Sequence, residues 1–90
     1  MIYNKEGYIE KRILMKVKKV IEIEVVGLGD RIRQAREADS RSLAEICRQI
    51  PMTTMNWYRI EAESTKALPI ETLRRIEEVL GVDFGVKFEN

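Results

Sequence analysis

The Ile50–Pro51 pair limits the fold of this chain more than any other feature, because it divides the apolar middle into short segments. Proline has no amide hydrogen and disfavours the α conformation of the residue before it, so a helix must end here. Ser42 and Glu45 have the three-residue spacing of a capping box. The pattern therefore predicts a helix from Leu43 to about Gln49.

Three further helices are predicted around this one. Thr53 is the next N-cap candidate and opens a helix from 54 to about 63. Before the capping box, Asp30 and an apolar stripe predict a helix over 28–39, with Leu28, Ile32 and Ala35 on one face. After a polar loop at 64–67, Pro69 stands near the first turn of a fourth helix and Gly81 just past its end. Its predicted buried face is Ile70, Leu73, Ile76, Val79 and Leu80.

The segments on either side of this helical region have sequence patterns typical of strands. Ile21, Ile23 and Val25 alternate with glutamates, which predicts a strand over 19–26. Upstream, the spacing of four from Ile9 through Ile13 and Val17 to Ile21 also fits a helix. Residues 84–89 read as a second short alternating strand that would pair with the first. The predicted fold is mainly α, with four helices and a small β element made by the two strands.

This pattern indicates a single domain over 19–90, with its helical core over 28–82. Residues 1–18 are interpreted as an N-terminal extension, either poorly ordered or partly strand. Met15 is an alternative start site, in which case 1–14 would be a loosely ordered extension.

Composition removes several classes of function. The chain has no histidine, and its one cysteine, Cys47, allows no internal disulfide and no multi-thiolate zinc site. No nucleophile–base pair, phosphate loop or metal constellation is present, so we expect neither an enzyme, nor a cofactor, nor a metal. No apolar run is long enough to span a bilayer, and the N-terminus lacks the apolar core of a secretory signal, so we expect a cytoplasmic protein without a membrane partner.

Net charge does not point to any partner. The whole chain has a formal charge of +1, and residues 28–82 contain nine basic and nine acidic side chains. A local basic face suffices for a few placed phosphate contacts, so a neutral total is compatible with nucleic acid.

Two short helices joined by about four residues form the outline of a helix-turn-helix. From Leu28 to Asp83 the chain resembles the Cro/cI-type (XRE-like) family of bacterial and phage regulators along the whole length of the domain. The resemblance is carried by an opening LGxxIRxxR helix, an SLAEI second helix, a third helix ending in RIE and a fourth closing with LGV. It implies a lambda-repressor-like bundle that binds double-stranded DNA in a sequence-specific way.

The resemblance also assigns roles to individual residues. Arg36 and Glu61 correspond to the family's ion pair that ties helix one to helix three, here called the clamp. The alternative interpretation is an exposed ion pair that contributes little to stability. The third helix would read the major groove, at about 54–63. Its expected contacts are Thr53, Thr54, Met55, Asn56, Tyr58 and Arg59, with Arg41, Ser42 and Lys66 at the phosphate backbone.

Several of these positions have a second interpretation. Cys47 is interpreted as a small buried group, against a redox-sensing thiol. Trp57 is expected to fill the core rather than stack on a base. Tyr58 either donates a hydrogen bond to a phosphate or only covers the surface.

Three positions depart from the family pattern. Pro51 stands where the turn usually has a glycine at positive φ, so we expect a remodelled turn that changes the tilt or register of the third helix. Leu43 replaces a glutamine that often begins the second helix, which removes a phosphate contact or moves it to Ser42 or Arg41. Glu63 replaces another glycine, and we expect the loop to turn it away from the phosphates and let Lys66 approach.

The sequence leaves three functional classes open. The first is a repressor-like transcriptional regulator. The second is an antitoxin that binds DNA with this domain and a toxin with its strands or a tail. The third is a protein-interaction module on the same fold with little DNA affinity. A homodimer suits a palindromic operator, and the predicted sheet would be able to extend across it.

Overall fold

The computed structural model describes residues 15–88 and contains four helices. They are α1 (Leu28–Glu37), α2 (Leu43–Gln49), α3 (Thr54–Glu61) and α4 (Ile70–Leu80). The mainly helical class and the four helices are therefore confirmed, and α1 and α3 each end two residues earlier than predicted. Residues 1–14 and 89–90, which hold most of the predicted extension and the end of the predicted second strand, lie outside the described residues.

Ser42 and Thr53 are the N-caps of α2 and α3, as predicted. The Ser42 hydroxyl accepts a hydrogen bond from the Glu45 amide at 3.2 Å, and the Glu45 carboxylate accepts one from the Ser42 amide at 3.0 Å. This reciprocal pair satisfies two backbone groups that the helix cannot bond internally. At α3 the Thr53 hydroxyl accepts from the Asn56 amide at 3.0 Å.

The ends of α2, α3 and α4 share one geometry. Each is followed by a residue with positive φ: Pro51 at 31°, Glu63 at 57° and Gly81 at 70°. The next amide then bonds back into the last turn of the helix, from Met52 to Cys47 O at 3.1 Å and from Ser64 to Arg59 O at 3.0 Å. This is the Schellman type of helix ending, and only one of the three positions has the glycine that suits it best.

The turn at Pro51 retains the hydrogen-bond pattern of the other two helix endings, with the Met52 amide bonded to Cys47 O at 3.1 Å, whereas we expected proline to remodel it. Ile50 is buried and Met52 packs against the core. The chain therefore reverses direction between these two inward-facing residues.

The core is formed where α1 and α2 pack against α3 and α4 packs against α2. Its largest fully buried side chains are Trp57, Ile32, Ile46 and Ile76. Trp57 thus occupies the core as predicted, where truncation of such a side chain to alanine typically costs about 3–5 kcal/mol. Cys47 is buried as well, and burial raises the pKa of its thiol, which agrees with the interpretation as a packing residue.

The predicted β element is absent from residues 15–88, which form no strand. Residues 82–88 instead fold back onto the helices, where Phe84 and Val86 are buried in the core. Their path is fixed by side chains rather than by a strand partner, because Arg31 donates to Phe84 O and Arg74 donates to Val86 O. Residues 19–26 have no ladder partner within 15–88, and alternation alone cannot make a strand without one.

The longest of the described helices, α4, has eleven residues. None of the described helices is long and apolar enough to cross a membrane.

Candidate nucleic-acid interface

Helix α3 presents one face to solvent and buries the other. Trp57 and Ile60 point into the core, three residues apart on one side of the helix. The helical period then places most of the other side chains outward, and all five that the sequence singled out within the helix are exposed. They are Thr54, Met55, Asn56, Tyr58 and Arg59.

A bidentate ion pair fixes α3 against α1. Arg36 Nε lies 2.7 Å from Glu61 Oε2, and Arg36 Nη2 lies 2.9 Å from Glu61 Oε1. The Glu61 side chain is only 6% exposed and that of Arg36 only 19%, so the pair is largely shielded from water. The hydrogen bond to the Glu61 carboxylate raises the pKa of Arg36. The geometry is that of a clamp rather than an exposed pair.

The same carboxylate also orders the core side of α3. The indole Nε1–H of Trp57 donates to Glu61 Oε2, one helical turn away. A buried indole N–H requires such an acceptor. Glu61 therefore connects α1, the core tryptophan and the end of α3, which holds the exposed face of the helix in one orientation.

Tyr58 is held by a second contact with the clamp. The guanidinium carbon of Arg36 lies 5.7 Å from the centre of the Tyr58 ring, within the range of a cation–π interaction. Tyr58 as a whole is still 53% exposed, so the residue stays accessible on the outward face of α3.

Arg59 is an exposed cation without an acidic partner among residues 15–88. Its described side-chain contact is with the sulfur of Met55, where Nη2 lies 3.9 Å from Sδ. This contact leaves the guanidinium donors accessible from solvent. Arg59 and Met55 therefore form one adjoining polar and apolar patch on the outward face of α3.

Two predicted phosphate contacts are engaged within the protein. Arg41 bonds both carboxylate oxygens of Asp39, at 2.9 and 2.8 Å, and also Val79 O at 2.7 Å. The Val79 carbonyl lies in the last turn of α4, so Arg41 caps that helix. The Ser42 hydroxyl is an acceptor in the capping box of α2. The structure thus places these two side chains in local support of the fold.

Hydrogen bonding to Arg41 changes the acidity of its partner. The side-chain hydrogen bond from Arg41 to Asp39 lowers the pKa of that carboxyl group to about 2, and the Arg41 amide, 2.9 Å from the same oxygen, adds to the effect. Asp39 was not singled out in the sequence, although its position two residues before an arginine is a recognisable local motif.

The loop after α3 holds the last two charged residues for which the sequence made a prediction, Glu63 and Lys66, and they have different surroundings. The Glu63 carboxylate accepts a hydrogen bond from the Gly29 amide at 2.7 Å, at the beginning of α1. Lys66 is exposed, with no acidic partner among residues 15–88. Sequence reasoning missed a further cation, Arg48, which is exposed in the last turn of α2 just before the turn leading to α3. No local spacing distinguishes Arg48 from an ordinary surface residue.

Comparison of the chain with protein-family models, with curated proteins and with solved structures finds no match in any of the three.

Proposed function

We propose that this protein is a sequence-specific DNA-binding regulator, with a lambda-repressor-like bundle and α3 as its recognition helix. Support for the bundle comes from the order of four short helices and from the four residues that join α2 to α3. The resemblance to Cro/cI-type regulators, carried by the LGxxIRxxR, SLAEI and RIE segments, points the same way.

The observation that carries the proposal is the clamped, outward-facing α3. A recognition helix must be rigid, because base contacts require its side chains to be held in one position against the major groove of DNA. The shielded Arg36–Glu61 pair supplies that rigidity, and its core side is closed by Trp57.

The exposed side chains have the chemistry of base recognition. Asn56 matches the donor and acceptor edge of adenine, and Arg59 matches guanine or a phosphate. Met55 provides apolar contact for a thymine methyl, next to the hydroxyl of Thr54. Thr53 caps α3 through its oxygen and retains its hydroxyl hydrogen for a donor role.

Backbone contacts would come from a few separate cations rather than from a strongly basic surface. Lys66 and Arg48 are the exposed candidates near the ends of α3 and α2. Arg41 would contribute only by supporting the fold, since its guanidinium is already bonded to Asp39 and Val79 O. Ser42, like Thr53, retains its hydroxyl hydrogen for a donor role. A protein with so few phosphate contacts should show a shallow but measurable dependence of affinity on salt.

Binding-site selection on random duplex DNA at stated salt concentrations tests the proposal. The wild type should enrich a motif, whereas Arg59→Ala and Thr54→Ala should lose affinity or preference, by roughly 5–150-fold for a base-reading contact worth about 1–3 kcal/mol. Lys87→Ala is the matched control, since Lys87 is an exposed cation in the C-terminal segment.

Absence of enrichment, together with affinity that does not fall as salt rises, would overturn the DNA-binding proposal. That outcome would favour a protein-interaction module built on the same four helices.

A further inference from the structure

The segment from 15 to 26 exposes apolar side chains and has no backbone partner among the described residues. Val17 is 92% exposed and Val20 is 81% exposed. No amide or carbonyl of this segment bonds to another residue of 15–88. Unpaired backbone beside exposed β-branched side chains is a surface suited to pairing with another strand.

The sequence of this segment has two distinct faces when it is written as a strand. One face carries two lysines, then a valine, then two glutamates, namely Lys16, Lys18, Val20, Glu22 and Glu24. The other is largely apolar, with Met15, Val17, Lys19, Ile21, Ile23 and Val25. Lysines lie in the first half and glutamates in the second half, so the segment is electrostatically complementary to itself when reversed.

We propose that residues 15–26 pair with the same segment of a second copy of this chain, as an antiparallel ribbon with its two-fold axis at Val20. In this register Lys16 lies opposite Glu24 and Lys18 lies opposite Glu22, and the symmetry repeats both pairs. Directly opposed charges of opposite sign stabilise a strand pair. A two-fold contact of this kind is isologous and closes at the dimer.

Other arrangements are poorer. Parallel pairing in register sets lysine against lysine and glutamate against glutamate, which is destabilising. An axis at Lys19 sets the two Lys19 ammonium groups against each other. An axis at Ile21 keeps the Lys18–Glu24 pair but places Lys16 opposite Val26. Charge complementarity therefore selects the axis at Val20.

The apolar face gives a second reason for this register. It sets Val17 opposite Ile23 and Met15 opposite Val25. Ile23 and Val25 line a cavity of about 510 Å³ between this segment and the helices, and Val25 already packs against the core. The second copy's Met15 and Val17 would extend over that cavity, where Phe88 is also partly exposed. In a single copy of the chain, the Met15 and Val17 side chains are almost fully exposed to solvent.

Sedimentation and light scattering on the full chain without DNA test this interface. Wild type should have twice the mass of one chain. An acidic variant, Lys16→Glu with Lys18→Glu, should be monomeric, and so should a basic variant, Glu22→Lys with Glu24→Lys. We expect the dimer dissociation constant of each to rise by roughly a hundredfold, because all four opposed pairs become repulsive.

Recombining the changes separates the interface from general effects of charge. Mixing the acidic and basic variants should give a heterodimer, and a variant with all four substitutions should dimerise again. Glu37→Lys with Glu78→Lys is the control of equal charge change, at two exposed sites in the described helices. Helical circular dichroism verifies that each variant is folded.

Cross-linking tests the register. Two copies of Val20→Cys should form a disulfide across the axis under mild oxidation, whereas Lys16→Cys should not. The native Cys47 is buried, so the wild type serves as the unreactive control. A monomeric wild type, a dimer unaffected by the charge reversals, or equal cross-linking at positions 16 and 20 would overturn the proposal. Since no DNA is present, each of these outcomes is independent of the DNA-binding proposal.

Discussion

Glu63 completes the N-terminus of a helix that begins 35 residues earlier in the chain: its carboxylate accepts a hydrogen bond from the Gly29 amide at 2.7 Å. The N-cap residue of α1, Gly27, has no side chain to offer that amide. A carboxylate here is favourable twice, as a hydrogen-bond acceptor and as a negative charge near the positive end of the helix dipole. The contact links the end of α3 directly to the start of α1.

Substitution at Glu63 should separate two opposing effects. Glu63 has a φ of 57°, which is unfavourable for a residue with a Cβ atom, yet its carboxylate is bonded. Glu63→Ala loses the charge-assisted bond and keeps the strain, so we expect a loss of about 1.5–3 kcal/mol in unfolding free energy. Glu63→Gly also loses the bond but relieves about 1 kcal/mol of strain. Urea unfolding measures both, and equal stability of the two variants would contradict this account.

Gly29 is required by the close approach of two helices. A Cβ atom at this position would lie 2.2 Å from the carbonyl oxygen of Glu61, which is backbone and cannot rotate away. Gly29→Ala should therefore lower the free energy of unfolding by about 3 kcal/mol, through displacement of α1 from α3. Gly85→Ala is the control, because a Cβ atom at Gly85 meets nothing within 4 Å and only backbone strain is added. Similar losses for the two variants would show that the clash is accommodated.

The Arg36–Glu61 clamp should be costly to break from one side. Glu61→Ala leaves the Arg36 guanidinium and the Trp57 indole N–H without their acceptor in a shielded site, so we expect a loss of about 3–5 kcal/mol. Glu78→Ala, at an exposed ion pair with Arg75, should change stability by less than about 1 kcal/mol. A second variant, Arg36→Met with Glu61→Leu, should recover part of the loss because no charge is stranded. The single variants Arg36→Met and Glu61→Leu complete a double-mutant cycle, and additive losses in it would exclude a coupled clamp.

The Asp39–Arg41 pair should contribute to the pH dependence of stability. Arg41 lowers the pKa of Asp39 from its ordinary value of 3.8 to about 2 in the folded protein. The stabilisation is therefore fully present above about pH 4, declines as pH falls toward 2 and is absent below it. Comparison of wild type with Asp39→Asn by denaturant unfolding should show a stability difference that shrinks over this window. A difference that stays constant from pH 5 to pH 2 would show that Asp39 titrates normally in the folded protein.

Local sequence determined the helices and much of the core. Capping at Ser42 and Thr53, and the C-terminal position of Gly81, depend on residues within one turn, so spacing alone predicts them. Trp57 was also predictable as a core residue, because the helical period places it on the face opposite Thr54 and Met55. The outward set on α3 follows from the same period.

Tertiary structure decided what distant residues do to one another. Glu63 caps α1 and Arg41 caps α4 across separations of 34 and 38 residues, which no local pattern encodes. Alternation at 19–26 and 84–89 suggested a sheet, but burial of Phe84 and Val86 against the helices outweighed strand pairing. The turn at Pro51 keeps the hydrogen bond from the Met52 amide to Cys47 O, because Ile50 and Met52 both pack inward. Spacing reports the preferences of each short segment, and the shared core determines which of those preferences is overridden.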